Sequence, residues 1–164
     1  MNVLLTPGEL EAIQRHAEAD YPAECCGVVL VRSQNEAERR LLACRNIQDE
    51  LHAKDPQRFA RTARTAYYIA HPDLLEIGRR ESEGFEVRVI YHSHVDAGAY
   101  FSETDRRNAM VDGTPAYPTA TYVVVGVSQG RAAETRAHRW SAERGEFVEI
   151  PLVVGEGAIR AEKR

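Results

Sequence analysis

The chain has 164 residues and a mass of 18.4 kDa, with 21 Lys and Arg against 25 Asp and Glu, a net charge of −4 and a pI of about 5.9. That length suits one domain and is too short for a (β/α)8 barrel, while 43% hydrophobic and 28% charged residues exclude a disordered chain. The mild acidity argues against nonspecific binding to DNA or to a membrane surface, both of which need a surplus of positive charge.

Thr6-Pro7-Gly8-Glu9 reads as a helix start, with Thr6 as the cap, Pro7 at the first helical position and Glu9 three residues after the cap. Leu10, Ile13 and Ala17 follow at helical spacing, so the helix runs to about Ala19, and Tyr21-Pro22 ends it. Gly27 to Arg32 is a β-branched run that reads as a buried strand. Polar residues 33–38 read as a turn, and Arg40 to Ile47 as the returning strand of a hairpin. Asp55-Pro56 reads as a second helix start, with Phe59, Ala63 and Ala66 on one face. Arg58, Arg61 and Arg64 fall on another face, either as a solvated stripe or as a docking place for an acidic partner or a carboxylate. Tyr67 to Ala70 fits a short strand. Pro72 to Glu83 fits a helix with Leu74, Leu75 and Ile77 inward, ended at Gly84. Glu86 to Ser93 alternates, with Val87, Val89 and Tyr91 on one face; Ser102 to Met110 opens a helix. Thr119 to Val127 is the strongest strand signal, and Ala132 to Trp140 and Glu146 to Val154 read as two more strands around Arg144-Gly145. The expectation is one mixed α/β (α+β) domain over residues 1–154, with a central sheet of about six strands, two or three helices and a flexible tail over 155–164.

The clearest apolar run, Tyr122 to Val127, is six residues long, far short of the roughly 20 of a membrane-spanning helix. The first residues, Met1 to Pro7, lack the basic and apolar regions of a secretory signal. Three cysteines, Cys25, Cys26 and Cys44, are an odd count with an adjacent pair, which is no disulfide framework. Reduced thiols and a cytoplasmic location are therefore expected.

The chemistry concentrates in one segment. His92 and His94 stand two apart on a strand end and project to the same side, while Ser93 faces away. Imidazole is a standard zinc ligand, and Asp105, on a helix eleven residues on, can complete a two-His, one-carboxylate set that leaves a fourth position for water, as in catalytic zinc sites. Each half by itself is weak. A bare HxH is common, and Ser102-x-x-Asp105 alone is a helix cap with an acidic first turn. Their conjunction points to metal chemistry, and a zinc-activated water needs a base. Glu24, just before the buried strand, is a candidate only beside such a site, since a lone glutamate there is ordinarily on the surface. Alternation lets only one of Cys25 and Cys26 face the site, and His16, His52, His71 and His138 match no ligand spacing.

His92-Ser93-His94, then seven residues, then Ser102-x-x-Asp105, with Glu24 upstream, resembles the JAMM (MPN+) zinc metalloprotease signature. The flanking segments around Glu24 to Leu30 and Ala99 to Asp105 are similar to stand-alone bacterial members, and the likeness extends from about Leu10 to Pro151. The resemblance implies that His92, His94 and Asp105 hold Zn²⁺. It further implies that Glu24 is the general base and then the acid, and that Ser102 stabilises the oxyanion. It also implies hydrolysis of an amide bond at the Gly-Gly tail of a ubiquitin-like sulfur carrier protein. Val95 stands where many members have proline, which is expected to loosen the following loop. Two alternatives remain open: a noncatalytic MPN-type binding module, and a metallo-β-lactamase-like hydrolase, whose pattern His92-x-His94-x-Asp96 breaks at Ala97.

Overall fold

A central strand order explains most of the molecule. In the computed structural model, which describes residues 3–155, a six-stranded sheet runs β2-β1-β3-β6-β7-β8. Its strands are β1 (Cys26–Arg32), β2 (Asn35–Cys44), β3 (Phe85–Val95), β6 (Thr121–Ser128), β7 (Arg131–Ser141) and β8 (Glu146–Ile150). A two-stranded ribbon, β4 (Met110–Val111) with β5 (Thr114–Pro115), stands apart from it. Four helices complete the described residues: α1 (Pro7–Asp20), α2 (Gln48–Lys54), α3 (His71–Ser82) and α4 (Glu103–Asn108). The mixed α/β class and the six-stranded sheet are as expected; the helix count is one more than the upper expectation.

All neighbouring strands of the large sheet are antiparallel except β3 and β6, which are parallel. A parallel pair cannot be joined by a tight turn. The connection between them, residues 96–120, therefore has room for a loop, α4 and the ribbon, and it starts at the end of β3 where His92 and His94 lie.

Both sheet faces are covered. One core, with Leu5, Ile13, Ala17, Val29, Val89, Tyr91 and Val125, sits under α1. The other, with Val28, Leu30, Ile77, Phe85, Ile90, Phe101, Val124 and Phe147, sits on the α3 side. The α1 start is built as its sequence implies: Glu9 N donates to Thr6 Oγ1 at 3.1 Å and Thr6 N to Glu9 Oε1 at 2.9 Å.

Seven sequence expectations need correction. The hairpin turn is only Ser33-Gln34, and β2 starts at Asn35 and stops at Cys44. Its charged first half reads as a turn because β2 is an edge strand, where charges face water and discourage further pairing. Asp55-Pro56 ends α2 rather than starting a helix, since a residue before proline is driven out of the helical region, and Asp55 has φ −146 and ψ 78. Residues 67–70 contribute one isolated bridge, Asn46 to Ile69, in place of a strand. Leu74 and Leu75 are 41% and 62% exposed; α3 docks through Ile77, and Leu74 lines a surface groove instead.

The fifth concerns β3. Val29 pairs with Val89 but Leu30 pairs with Val87, so Arg88 is an extra residue, a bulge. The bulge puts Val87 in the α3-side core and Val89 and Tyr91 in the α1-side core, where simple alternation put all three together. Further on, β8 ends at Ile150 before Pro151. Gly155, expected to begin a loose tail, is buried and donates its N–H to Leu5 O at 3.0 Å, and the rest of that expected tail, 156–164, lies outside the described residues.

One close approach makes a sharp prediction. A Cβ on Gly27 would stand 2.3 Å from the Tyr91 hydroxyl, and Tyr91 is fully buried and bonded to His16 Nδ1 at 2.8 Å. Gly27→Ala is expected to lower stability by about 1–3 kcal/mol, the usual cost of overpacking a filled core, measured as a loss in urea unfolding midpoint.

Candidate metal centre and active site

Three chain segments meet at the C-terminal end of β3. Cys26 pairs with His92 across the β1–β3 ladder, so Glu24, two residues earlier in the chain, lies beside the end of β3. Its backbone is held on both sides, Glu24 N donating to Ala63 O at 2.7 Å and Glu24 O accepting from Asn46 Nδ2 at 2.9 Å. Ser93 turns away from the His92–His94 face and its hydroxyl accepts from Cys25 N at 2.8 Å.

The third segment is α4. Ser102 caps it, its Oγ accepting from Asp105 N at 3.0 Å while its own N–H donates to Asp105 Oδ2 at 2.9 Å. The same Oδ2 lies 3.1 Å from Nε2 of His92 and 3.1 Å from Nε2 of His94, and the two nitrogens are 3.3 Å apart. Capping and ligand convergence are not alternatives here, because one carboxylate does both.

These three side chains can hold a metal ion. Around a tetrahedral ion with bonds of about 2.0–2.1 Å, neighbouring ligand atoms lie about 3.3–3.4 Å apart, close to the observed spacing. His94 Nδ1 is 2.7 Å from Gly98 O. A carbonyl only accepts, so Nδ1 carries the proton and Nε2 presents its lone pair to the centre. His92 and Asp105 are buried, and His92 stacks on Tyr67 with ring centroids 4.7 Å apart. Burial pushes the Asp105 carboxyl up, but the two imidazoles and the Ser102 N–H outweigh it and hold Asp105 well below the usual carboxylate range.

Glu24 is the counterpart. It is 4% exposed, and its Oε1 has no hydrogen-bond partner among the described residues. Desolvation pushes its pKa up to about 9, the negative Asp105 adds to this, and Arg61 opposes it. Glu24, His94 and Ser102 all line one 330 Å³ cavity, with Arg61, Tyr100 and Thr104 around them. Ser102 Oγ already accepts from Asp105 N, so its hydroxyl hydrogen is left to donate into that cavity. A carboxyl with an unused acceptor, a hydroxyl with an unused donor and one imidazole of the candidate metal-binding trio around one cavity can move a proton and stabilise developing negative charge.

A buried carboxyl with a raised pKa has a stability signature. In the metal-free protein the folded value, about 9, exceeds the unfolded value near 4.5. Stability from this group is complete below the lower value and is lost as pH rises through the upper one. Glu24→Gln, which cannot ionise, is expected to raise the melting temperature of the metal-free protein at pH 8.5 by at least about 2–4 °C and to leave it nearly unchanged at pH 5. Thermal unfolding with chelator at the two pH values measures the difference.

The loop after His94 is held without a proline. Asp96 N donates to Val127 O at 2.7 Å, and the Asp96 carboxylate accepts from the Tyr21 hydroxyl at 2.8 Å, Gln129 N at 2.9 Å and Arg64 at 3.3 Å. Ala99 N donates to Glu134 Oε1 at 2.7 Å, and His138 Nε2 donates to Ala99 O at 2.9 Å. Gly126 lets this loop lie down on the sheet, since a Cβ there would meet Ala97 O at 2.8 Å. The expected loosening at Val95 is thus offset by tertiary bonds. Sequence reasoning missed the roles of Tyr67, Gly126 and Glu134, which arise from contacts between segments far apart in the chain, and read Gly98 as a source of loop flexibility, where its carbonyl holds His94. The cysteines separate as alternation requires, Cys25 in the α1-side core and Cys26 in the opposite one. All three are free and buried, and burial pushes each thiol up, Cys25 to about 12, which makes them poor nucleophiles.

Comparison with known proteins agrees with this geometry. The family of prokaryotic homologs of the JAB domain matches residues 7–143. A tail tip assembly protein K of Escherichia phage N15 is 34% identical over 105 residues, which are 64% of this chain and 35% of that protein, so the chain spans about a third of it. The CysO-cysteine peptidase of Mycobacterium tuberculosis is 29% identical over 131 residues, 79% of this chain and 77% of the peptidase. Among solved structures, a Desulfitobacterium hafniense protein superimposes with a TM-score of 0.64 at 16% identity, covering 93% of this chain and 92% of its own. A Salinibacter ruber protein gives a TM-score of 0.58 at 23% identity, again with 93% and 92% covered. With a family match over most of its length and the buried His92, His94 and Asp105 drawn together where the sheet turns parallel, this chain belongs to the prokaryotic JAB-domain (JAMM/MPN) family.

Proposed function

We propose that the protein is a zinc-dependent peptidase that hydrolyses an amide bond at the Gly-Gly tail of a ubiquitin-like sulfur carrier protein. The observation that carries the reading is the unpartnered Oε1 of Glu24, a residue that lines the same cavity as His94 and Ser102, together with three candidate ligand atoms 3.1–3.3 Å apart. A noncatalytic binding module has no use for a buried carboxyl left without a partner, which costs stability.

His92, His94 and Asp105 would hold the ion. Zinc, when bound, supplies Lewis acidity that polarises a carbonyl and acidifies water. With a bound cation's charge favouring its ionised form, Glu24 would accept a proton from the attacking water and pass it to the departing amine, acting as base and then acid. Ser102 donates its hydroxyl hydrogen to the oxygen on which negative charge builds. Gly98 O keeps His94 in the tautomer that serves the metal, and the rings of Tyr67 and Tyr100 pack against His92 and His94. The likeness to a CysO-cysteine peptidase supports a sulfur carrier as substrate, with cysteine as one leaving group. We place the reaction in the cytoplasm, in keeping with three free thiols.

The test is direct. The full chain, loaded with about one zinc, is incubated with a sulfur carrier protein ending Gly-Gly-Cys and the product is weighed by mass spectrometry. The expected result is loss of the terminal residue, abolished by a chelator and restored by zinc. An unchanged mass across several such carriers would overturn the substrate assignment. The 34% identity to a phage tail tip assembly protein favours a second reading, a peptidase acting on a structural protein during assembly, and the same metal-dependent assay with such a protein distinguishes the two.

A further inference from the structure

Beside the catalytic cavity runs a larger groove of 560 Å³. Its floor is aromatic and aliphatic, with Tyr67, Tyr117 and Leu74, and its rim carries Arg58, Arg61 and Arg107. Arg61 and Thr104 line both the groove and the 330 Å³ cavity, so the two adjoin. The groove wall is built by the segment between α2 and α3, which has no helix of its own. Side chains of α2 fasten that segment down: Gln48 Nε2 donates to Arg61 O at 2.9 Å, Asp49 Oδ1 accepts from Ala63 N at 2.7 Å, and His52 Nδ1 meets Phe59 O at 2.8 Å. A fixed wall is what a binding groove needs.

The charge pattern identifies the occupant. The chain as a whole is acidic, and most of its arginines sit in ion pairs, such as Arg32 with Glu38, Arg79 with Glu76 and Arg136 with Glu134. Arg64, the third member of the 58–61–64 stripe, is likewise tied to Asp96. Arg58, Arg61 and Arg107 are exposed and have no carboxylate within ion-pair distance among the described residues. Three unpaired guanidinium groups around one apolar floor, on a molecule of net charge −4, form a local positive rim with a greasy base. Such a surface complements a segment that alternates carboxylates with aliphatic side chains.

We infer that this groove docks an acidic, aliphatic-bearing segment of the protein substrate and so selects which protein presents its tail to the cavity. The inference rests on the peptidase reading, because it takes the occupant to be the substrate. Arg58 and Arg107 meet the carboxylates, and Tyr67, Tyr117 and Leu74 take the aliphatic side chains.

The experiment reads binding rather than turnover. A fluorescent hexapeptide of alternating glutamate and leucine is titrated with the full chain and followed by anisotropy, beside a hexapeptide with glutamine in place of glutamate. The glutamate peptide is expected to bind at least about tenfold more tightly, the scale of a few exposed ion pairs acting together, and to lose that preference at high salt. The double variant Arg58→Glu with Arg107→Glu should abolish the preference. Arg139→Glu, an exposed arginine on β7 outside the groove, should leave it intact. Melting temperatures of both variants, expected to match the parent, exclude a folding defect, and Arg58→Ala with Arg107→Ala should give an intermediate loss. Equal binding of the two peptides, or an equal effect of Arg139→Glu, would overturn the inference. Acidic preference without any hydrolysis would sink the peptidase reading and leave the acidic docking site standing; hydrolysis without acidic preference would do the reverse.

Discussion

Glu24→Gln is expected to cut hydrolysis by about 10²–10⁴-fold, the usual worth of a general base, while zinc content and fold stay those of the parent. The substitution keeps shape and removes charge. Glutamine fills the same buried space and keeps an oxygen, but its amide cannot take a proton from water or return one to the departing amine. Glu24 is no part of the His92–His94–Asp105 trio, so metal affinity is not at stake. The backbone bonds from Glu24 to Ala63 and Asn46 survive the change. Kinetics on the carrier substrate, together with metal analysis and circular dichroism, separate the outcomes. A variant that keeps parental turnover and one zinc per chain would remove Glu24 from the chemistry.

Asp105 gives the second large effect, and its two jobs can be pulled apart. Asp105→Asn retains a side-chain oxygen that can accept from Ser102 N, so the cap of α4 is largely kept. It loses the negative charge at the point where two imidazole nitrogens converge. Zinc affinity is expected to fall by at least about 10- to 100-fold, the range seen even when an outer partner of a ligand is lost. Unfolding of the metal-free protein should change by less than about 1 kcal/mol. Asp105→Ala should show the same metal loss plus the cost of the cap. Competition against a chromogenic chelator measures the first quantity and urea unfolding in chelator the second. Equal zinc affinity in Asp105→Asn and parent would leave Asp105 as a helix cap alone.

Local signals carried the reading of the sequence wherever neighbours in the chain are also neighbours in space. The Thr6–Glu9 capping box is complete within four residues, and α1 begins where it says. β6 is buried on both faces, so an unbroken run of apolar, mostly β-branched residues marks it. The shared face of His92 and His94 needs only strand alternation. Where burial is decided from a distance, the reading failed. The acidic and basic start of β2 is compatible with a turn until its edge position is known. Leu74 and Leu75 look like core, yet both are exposed on α3, and Leu74 lines a groove. The bulge at Arg88 leaves no mark in the pattern, because it is a mismatch in length between β1 and β3.

The residue types and spacings of His92, His94, Ser102 and Asp105 are properties of short stretches, so the chain alone determined that a metal-ligating set and a capped helix were available. Tertiary structure decided that Asp105 Oδ2 meets both imidazoles, because the length of the β3-to-β6 connection and the seating of its loop on Gly126 set that distance. It also decided that Glu24 is buried and unpartnered, since the protein around Asn46 and Ala63 removes water that any isolated glutamate would keep. Pattern is local, but desolvation depends on everything packed within a few ångströms, whatever its place in the chain.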